Sequence, residues 1–129
     1  MRVLIDTNIY FSALLYPNSN PAKAIHLASR NHTLILPDYN INELRGITLR
    51  KCPKKLPDVD VLLAKLNYVP VTAPLSPQKL MSDPKDVPIL NAAILEDVDI
   101  IVSGDHHFLQ LELERPQVMT AAEFLEYTE

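Results

Sequence analysis

The chain opens with Met1-Arg2-Val3-Leu4-Ile5-Asp6-Thr7-Asn8, and this stretch decides how the rest is interpreted. Residues 3–5 form an uninterrupted apolar run, which is typical of a strand covered on both faces of a parallel sheet. Asp6 follows the run directly. Ligands of open α/β sheets bind outside the carboxyl ends of the strands. The stretch therefore predicts a buried parallel strand that delivers a carboxylate to a binding site.

Four further short apolar runs continue this pattern, at residues 33–36, 69–71, 100–102 and 117–119. Longer amphipathic stretches separate them, as in βα units arranged around a parallel sheet. Pro70 removes a backbone donor, so its strand suits only the edge of the sheet. Asn20 before Pro21 and the capping box Thr120-Ala121-Ala122-Glu123 predict helix starts. We therefore predict an α/β fold.

Composition narrows the class of protein. The 129 residues are 47% apolar and 22% charged, which indicates one ordinary globular domain. A net charge of -4 argues against a strongly basic nucleic-acid binder, and two glycines exclude glycine-rich phosphate loops. The single cysteine, Cys52, excludes an internal disulfide and favours a reducing compartment. No apolar run is long enough for a membrane span, and Asp6 comes too early for a signal peptide. A cytoplasmic protein is expected.

Four acids occupy positions where they can meet. Asp6 and Asp105 each follow an apolar strand, Glu43 borders the buried face of the helix after the second strand, and Asp86 begins a later helix. Four converging carboxylates repel one another, and a hard divalent cation removes that problem. Without histidines or cysteines at zinc spacing, Mg²⁺ or Mn²⁺ is favoured. Such a site suits displacement at phosphorus.

Each acid also has a purely structural interpretation. Asp6 would be a turn residue at the end of a strand, and Asp105 and Asp86 would cap helices. Glu43 would stabilise the N-terminal half of its helix through the helix dipole. Asp83 is a spare acid beside Asp86. The case for a shared site comes from all four acids lying on one side of the predicted sheet.

Five segments of the chain resemble the PIN-domain family, and most of all its VapC-like toxins from prokaryotic toxin–antitoxin systems. They are Leu4-Ile5-Asp6-Thr7-Asn8, Asn42-Glu43-Leu44, Asp83-Pro84-Lys85-Asp86, Ile101-Val102-Ser103-Gly104-Asp105 and Thr120-Ala121-Ala122-Glu123-Phe124-Leu125. The acidic motifs occur in the family's order, and the resemblance extends over nearly the whole chain.

The resemblance implies a three-layer α/β/α sandwich with a central parallel sheet of about five strands, forming a single PIN-like nuclease domain over residues 1–129. It implies an endoribonuclease dependent on Mg²⁺ or Mn²⁺, with four acids as catalytic residues and metal ligands: Asp6, Glu43, Asp86 and Asp105. Asn8 and Ser103 match supporting polar positions, although local turn bonding is an alternative role for both. Many members carry another acid where this chain has His107. That histidine either weakens a second metal site, serves as a neutral ligand or proton shuttle, or lies exposed.

Partners follow from charge and from the resemblance. Five cations close to Glu43 are candidates for binding the RNA backbone: Arg45, Arg50, Lys51, Lys54 and Lys55. A solvated helix end is the alternative explanation for them. Family members are often homodimers, and the toxins are silenced by a cognate antitoxin, so both kinds of partner are expected.

Two other functions stay open. A non-catalytic PIN-like module would bind RNA or protein without cutting, and His107 in place of an acid keeps that alternative alive. A phosphoryl-transfer receiver or phosphatase of another α/β family usually needs a second aspartate two residues after the first, where this chain has Asn8.

Overall fold

The computed structural model of the protein describes residues 1–72, 87–105 and 116–128. The strands are β1 (Arg2–Ile5), β2 (Thr33–Pro37), β3 (Val69–Val71), β4 (Ile100–Val102) and β5 (Gln117–Met119). The helices are α1 (Thr7–Leu15), α2 (Asn20–Asn31), α3 (Asp38–Lys51), α4 (Leu56–Lys65), α5 (Val87–Leu95) and α6 (Ala121–Thr128). A 3-10 turn, Pro53–Lys55, joins α3 to α4.

The five strands form one sheet in the order β3-β2-β1-β4-β5, and every neighbouring pair is parallel. β1 is central, with Leu4 opposite Ile35 of β2 and Ile101 of β4. β3, which contains Pro70, lies at one edge, as the missing backbone donor predicts. The predicted α/β fold with a central parallel sheet of about five strands is confirmed.

Alternating side chains of the sheet enter two separate cores, which makes the molecule three layers thick. Val3 and Ile5 face a cluster that includes Tyr10 of α1, Ile25 of α2 and Phe124 of α6. Leu4 faces the opposite cluster, which contains two fully buried residues of α5 and two of the neighbouring strands: Ile89, Leu90, Ile35 and Ile101. Full burial stabilises each such side chain by roughly 1.5–3 kcal/mol relative to exposure.

Two predicted helix starts have different outcomes. The Thr120 amide donates to Glu123 Oε1 at 2.9 Å and the Glu123 amide donates to Thr120 Oγ1 at 3.1 Å, so the capping box before α6 is confirmed. The assignment of Asn20 as a cap is wrong by one residue. Asn20 is already helical, and the Ser19 hydroxyl caps α2 by accepting from the Ala22 amide at 3.5 Å.

No helix within the described ranges is both long and apolar enough to cross a membrane.

Candidate metal centre

The end of β1 and the end of β4 bring Asp6 and Ser103 side by side. Ile5 is in register with Val102, and the Asp6 amide extends the ladder by donating to the Val102 carbonyl at 2.9 Å. The Ser103 amide in turn donates to the Met119 carbonyl of β5 at 3.0 Å. The carboxyl edge of the sheet therefore fixes the backbone on which both side chains stand.

Ser103 links two of the predicted metal ligands. Its hydroxyl donates to Asp6 Oδ2 at 3.0 Å and accepts from the Asp105 amide, also at 3.0 Å. Ser103 is fully buried and Asp6 is 2% exposed. A single hydroxyl thus orients the Asp6 carboxylate and shapes the turn that carries Asp105.

Helix α3 brings Glu43 to the same edge. The helix begins where β2 ends, and Glu43 lies in its second turn. Asn40, one turn earlier, is 1% exposed and donates through Nδ2 to the Ile5 carbonyl at 3.2 Å. This bond ties the start of α3 to the end of β1, directly beside Asp6.

Asp6, Glu43 and Asp105 line one open cavity of about 640 Å³. Its walls also carry polar side chains from the starts of α1 and α3 and two cations from the end of α3: Asn8, Tyr39, Asn42, Arg50 and Lys51. Gly46 and Ile47 complete the lining. The side-chain atoms that can coordinate a metal ion in this cavity are mostly oxygens, which suit a hard divalent cation.

Burial raises the pKa of Asp6 from 3.8 to about 6. Desolvation is the main cause, and the negative charges of Glu43 and Asp105 raise the pKa further. The hydrogen bonds from Ser103 and the Thr7 backbone act in the opposite direction. The three acids are therefore close enough to repel, and a cation between them would relieve that repulsion. On this ground the residues present fit a divalent metal ion.

Several predicted site residues lie outside the described residues, namely Asp86, Asp83 and His107. Within residues 1–72, 87–105 and 116–128, no three His, Cys, Asp or Glu side chains form a ready-made metal site. The structure thus brings together three of the four predicted ligands around one cavity, together with the predicted supporting residues Asn8 and Ser103. The role of each as a ligand stays a prediction.

The predicted basic cluster divides into two groups. Arg50 and Lys51 line the cavity. Arg45 instead pairs with Asp60 of α4 at 2.6 Å, and Lys55, which directly precedes α4, pairs with Asp58 in its first turn at 3.6 Å. Lys54 is exposed in the turn between α3 and α4.

Sequence reasoning missed the buried residue Asn40 and the cavity-lining glycine, Gly46. The signal for Asn40 was its spacing: Asn40, Leu44 and Thr48 follow one another at four-residue intervals and form the buried face of α3. Apolar periodicity alone favours Ile41, Leu44 and Ile47 for this face, but Ile41 and Ile47 are only half-buried and Ile47 lines the cavity. For Gly46 no comparable signal exists, because its role depends on where Arg50 lies.

Comparison with known proteins identifies the family of the chain. A family model described as a PIN domain matches residues 2–107. No curated protein matches the chain.

Two solved structures share the fold. The crystal structure of VapBC2 from Rickettsia felis bound to a DNA fragment from their promoter gives a TM-score of 0.69 at 16% identity, covering 93% of this chain and 98% of that one. The structure of VapBC-1 from nontypeable Haemophilus influenzae gives a TM-score of 0.61 at 13% identity, covering 95% of this chain and 99% of that one. These similarities match the expected VapC-like α/β fold. Since the family model spans most of the sequence, the chain belongs to the PIN-domain family.

Proposed function

We propose that this protein is a divalent-metal-dependent endoribonuclease that hydrolyses RNA phosphodiester bonds. The observation that carries the proposal is the convergence of Asp6, Glu43 and Asp105 on one cavity at the carboxyl edge of the sheet. Burial raises the pKa of Asp6, the negative charges of Glu43 and Asp105 add to this rise, and a bound cation would stabilise the ionised carboxylate. Mg²⁺ is the preferred ion for all-oxygen sites that meet phosphate, and Mn²⁺ is its closest substitute.

Each residue has a distinct role in this proposal. Asp6, Glu43 and Asp105 hold the ion, and Asp86 is the fourth ligand by resemblance to the family. Ser103 holds Asp6 in position through its 3.0 Å hydrogen bond, and Asn8 orients the substrate or the ligand loop. When bound, the ion would lower the pKa of an attacking water and stabilise charge at phosphorus.

The proposal extends to a biological role as the toxin of a toxin–antitoxin pair in the cytoplasm. The support is the fold shared with chains of two VapBC assemblies and the motifs similar to VapC-like toxins. The expected partners are RNA, a cognate antitoxin and a second copy of the chain.

Cleavage of end-labelled RNA by the purified chain tests the nuclease proposal. Cleavage is expected with Mg²⁺ or Mn²⁺, and EDTA should abolish it. Asp6→Asn should abolish cleavage at every metal concentration, because it removes a charged ligand. Asp58→Asn makes the same chemical change at an exposed pair with Lys55 and should leave the rate unchanged.

Three results would count against the nuclease. Cleavage that persists in EDTA would contradict the proposed metal dependence. Cleavage by Asp6→Asn at the normal rate would contradict the assignment of the active site to this cavity. RNA binding without any cleavage favours the non-catalytic module.

The toxin role has a separate test. Expression of the chain should arrest growth, and Asp6→Asn should not. Co-expression of the product of an adjacent gene should restore growth. Normal growth with an active nuclease in the cell would reject the toxin role and leave the enzymatic proposal standing.

A further inference from the structure

Two cations share the cavity with the carboxylates, and both are available to a ligand. Arg50 and Lys51 line the cavity at the end of α3, and both are exposed. Neither forms an ion pair with a carboxylate of the described residues. By contrast, Arg45 and Lys55 are paired with acids of α4. Arg45 is separated from Arg50 by helix geometry, because α3 turns one face to the cavity and another to α4, whereas Lys55 lies beyond the end of α3 and pairs with Asp58 three residues later.

The guanidinium of Arg50 lies next to Gly46, and both residues line the cavity. A Cβ atom at Gly46 would lie 3.4 Å from Arg50 Nη1. Glu43, Gly46 and Arg50 succeed one another at spacings of three and four residues, so they occupy one face of the helix. That face presents an acid and, about two turns further along the helix, a planar, permanently charged group, and both line the cavity. Guanidinium groups suit bidentate contact with phosphate.

The ammonium of Lys51 contacts a side chain of a different helix. Its Nζ lies 5.9 Å from the ring centroid of Phe11 in α1, the helix that starts directly after Asp6. A cation at the end of a helix is favoured by the helix dipole alone. The dipole, however, does not account for the placement of both side chains in the wall of the carboxylate cavity.

The charges in the cavity leave a role for these two residues. A divalent metal ion between Asp6, Glu43 and Asp105 would offset two of the three negative charges of the ionised acids and would contact one phosphate. A nucleic-acid strand brings further phosphates, which the acids would repel. We propose that Arg50 and Lys51 bind the backbone phosphates adjacent to the bond that is cut. Arg45, Lys54 and Lys55 do not contribute to this contact. This inference rests on the proposed function, since it presumes a nucleic-acid substrate in the carboxylate cavity.

Binding of a fluorescein-labelled single-stranded RNA, measured by anisotropy in EDTA so that the strand stays intact, tests the inference. Arg50→Ala and Lys51→Ala should each weaken binding by about tenfold at low salt, as expected for the loss of a charge-assisted phosphate contact. Each should also lower the slope of log affinity against log salt concentration by about 0.7. A purely structural role at the helix end would lower the melting temperature and leave this slope unchanged.

Matched controls come from α2. Lys23→Ala and Arg30→Ala remove the same side chains at exposed positions that do not line the cavity. Both should keep the parent affinity and slope. Arg45→Ala is a third comparison. An equal loss of RNA affinity in this variant would show that the whole basic cluster binds RNA, and would contradict the assignment of binding to Arg50 and Lys51 alone.

Kinetics separate this inference from the proposed function. With Mg²⁺, the Arg50 and Lys51 variants should raise KM for RNA about tenfold and change kcat little, whereas Asp6→Asn abolishes kcat. If the parent chain binds RNA through these two residues and never cleaves it, the nuclease fails, whereas the binding of backbone phosphates by Arg50 and Lys51 stands. If the variants bind RNA as the parent does, or the parent binds none at low salt, the inference fails whatever the result for cleavage.

Discussion

At the scale of single residues, Asp6 combines burial with negative neighbours. Its side chain is 2% exposed, accepts one hydrogen bond from Ser103, and is repelled by Glu43 and Asp105. A carboxylate in such a place destabilises the metal-free fold when it is ionised. The same arrangement favours a bound cation, so Asp6 lowers the stability of the metal-free fold and promotes cation binding.

Asp6→Asn is expected to stabilise the metal-free protein in a pH-dependent way. The pKa of Asp6 is about 6 in the folded chain against 3.8 as the ordinary value. The folded state therefore binds more protons between these values. The stabilisation from protonated Asp6 is complete below pH 3.8 and is lost as the pH rises through about 6. Asparagine has no such titration, so its advantage should grow over this interval toward a limit on the order of 3 kcal/mol.

Urea unfolding of both chains in EDTA, from pH 4 to pH 8, measures this difference. Asp58→Asn serves as the control, because its side chain is 49% exposed. A constant difference across the pH range would contradict the raised pKa.

Ser103→Ala should lower cleavage about 10- to 100-fold, the usual effect of removing a group that orients a metal ligand. The substitution removes the hydroxyl that donates to Asp6 and accepts from the Asp105 amide. Because Ser103 acts through Asp6, the Mg²⁺ concentration for half-maximal activity should rise as well. Ser103→Thr keeps the hydroxyl and should restore much of the activity if the fold admits its methyl group. An unchanged Mg²⁺ requirement in an active Ser103→Ala chain would reject this positioning role.

At the scale of elements, the strands and most helices could be predicted from the sequence, whereas the orientation of α3 could not. Apolar runs with proline at one edge identify the strands, since their burial on both faces leaves no polar alternation. α3 buries Asn40 and Thr48 because each side chain bonds to a backbone carbonyl, of Ile5 and Leu44. A division into apolar and polar residues assigns both to the surface. The predicted start of α2 was one residue too late because Ser19 and Asn20 are both good N-cap residues.

The capping box of α6 gives a prediction at this scale. Thr120→Ala should destabilise the protein by about 1 kcal/mol, because it removes the hydroxyl that accepts from the Glu123 amide. Thr120→Ser keeps that bond and should stay close to the parent. Thermal unfolding of the three chains measures the difference. Equal melting temperatures for alanine and serine would show that the hydroxyl contributes nothing to α6.

At the scale of the whole molecule, the sheet topology determines which acids meet. That Asp6 and Asp105 lie at one edge follows from parallel strands, and the sequence was enough to predict it. The repulsion of Asp6 by Glu43, and the separation of Arg50 and Lys51 from Arg45, depend on how α3 packs against the sheet and α4. Such packing involves residues far apart in the chain, and local patterns do not encode it.

Metal binding should appear as a gain in the stability of the whole protein. Any ligand that binds the folded state alone stabilises it by mass action, by about 2.7 kcal/mol at a concentration 100 times its Kd. The melting temperature of the parent chain should therefore rise with Mg²⁺ or Mn²⁺. Asp6→Asn should show a much smaller rise, and sodium chloride at matched ionic strength should give none. Equal metal-induced shifts in the two chains would place the ion elsewhere.

The central position of β1 has a consequence for synthesis. A ribosome makes β1 before the other strands of the sheet, and its partner β4 and the hydroxyl of Ser103 emerge about a hundred residues later. Until β4 is made, the nascent polypeptide therefore lacks one side of the cavity that Asp6 lines. For the proposed nuclease, this delay would protect the messenger and the ribosome that produce it, and a product truncated before β4 would be harmless.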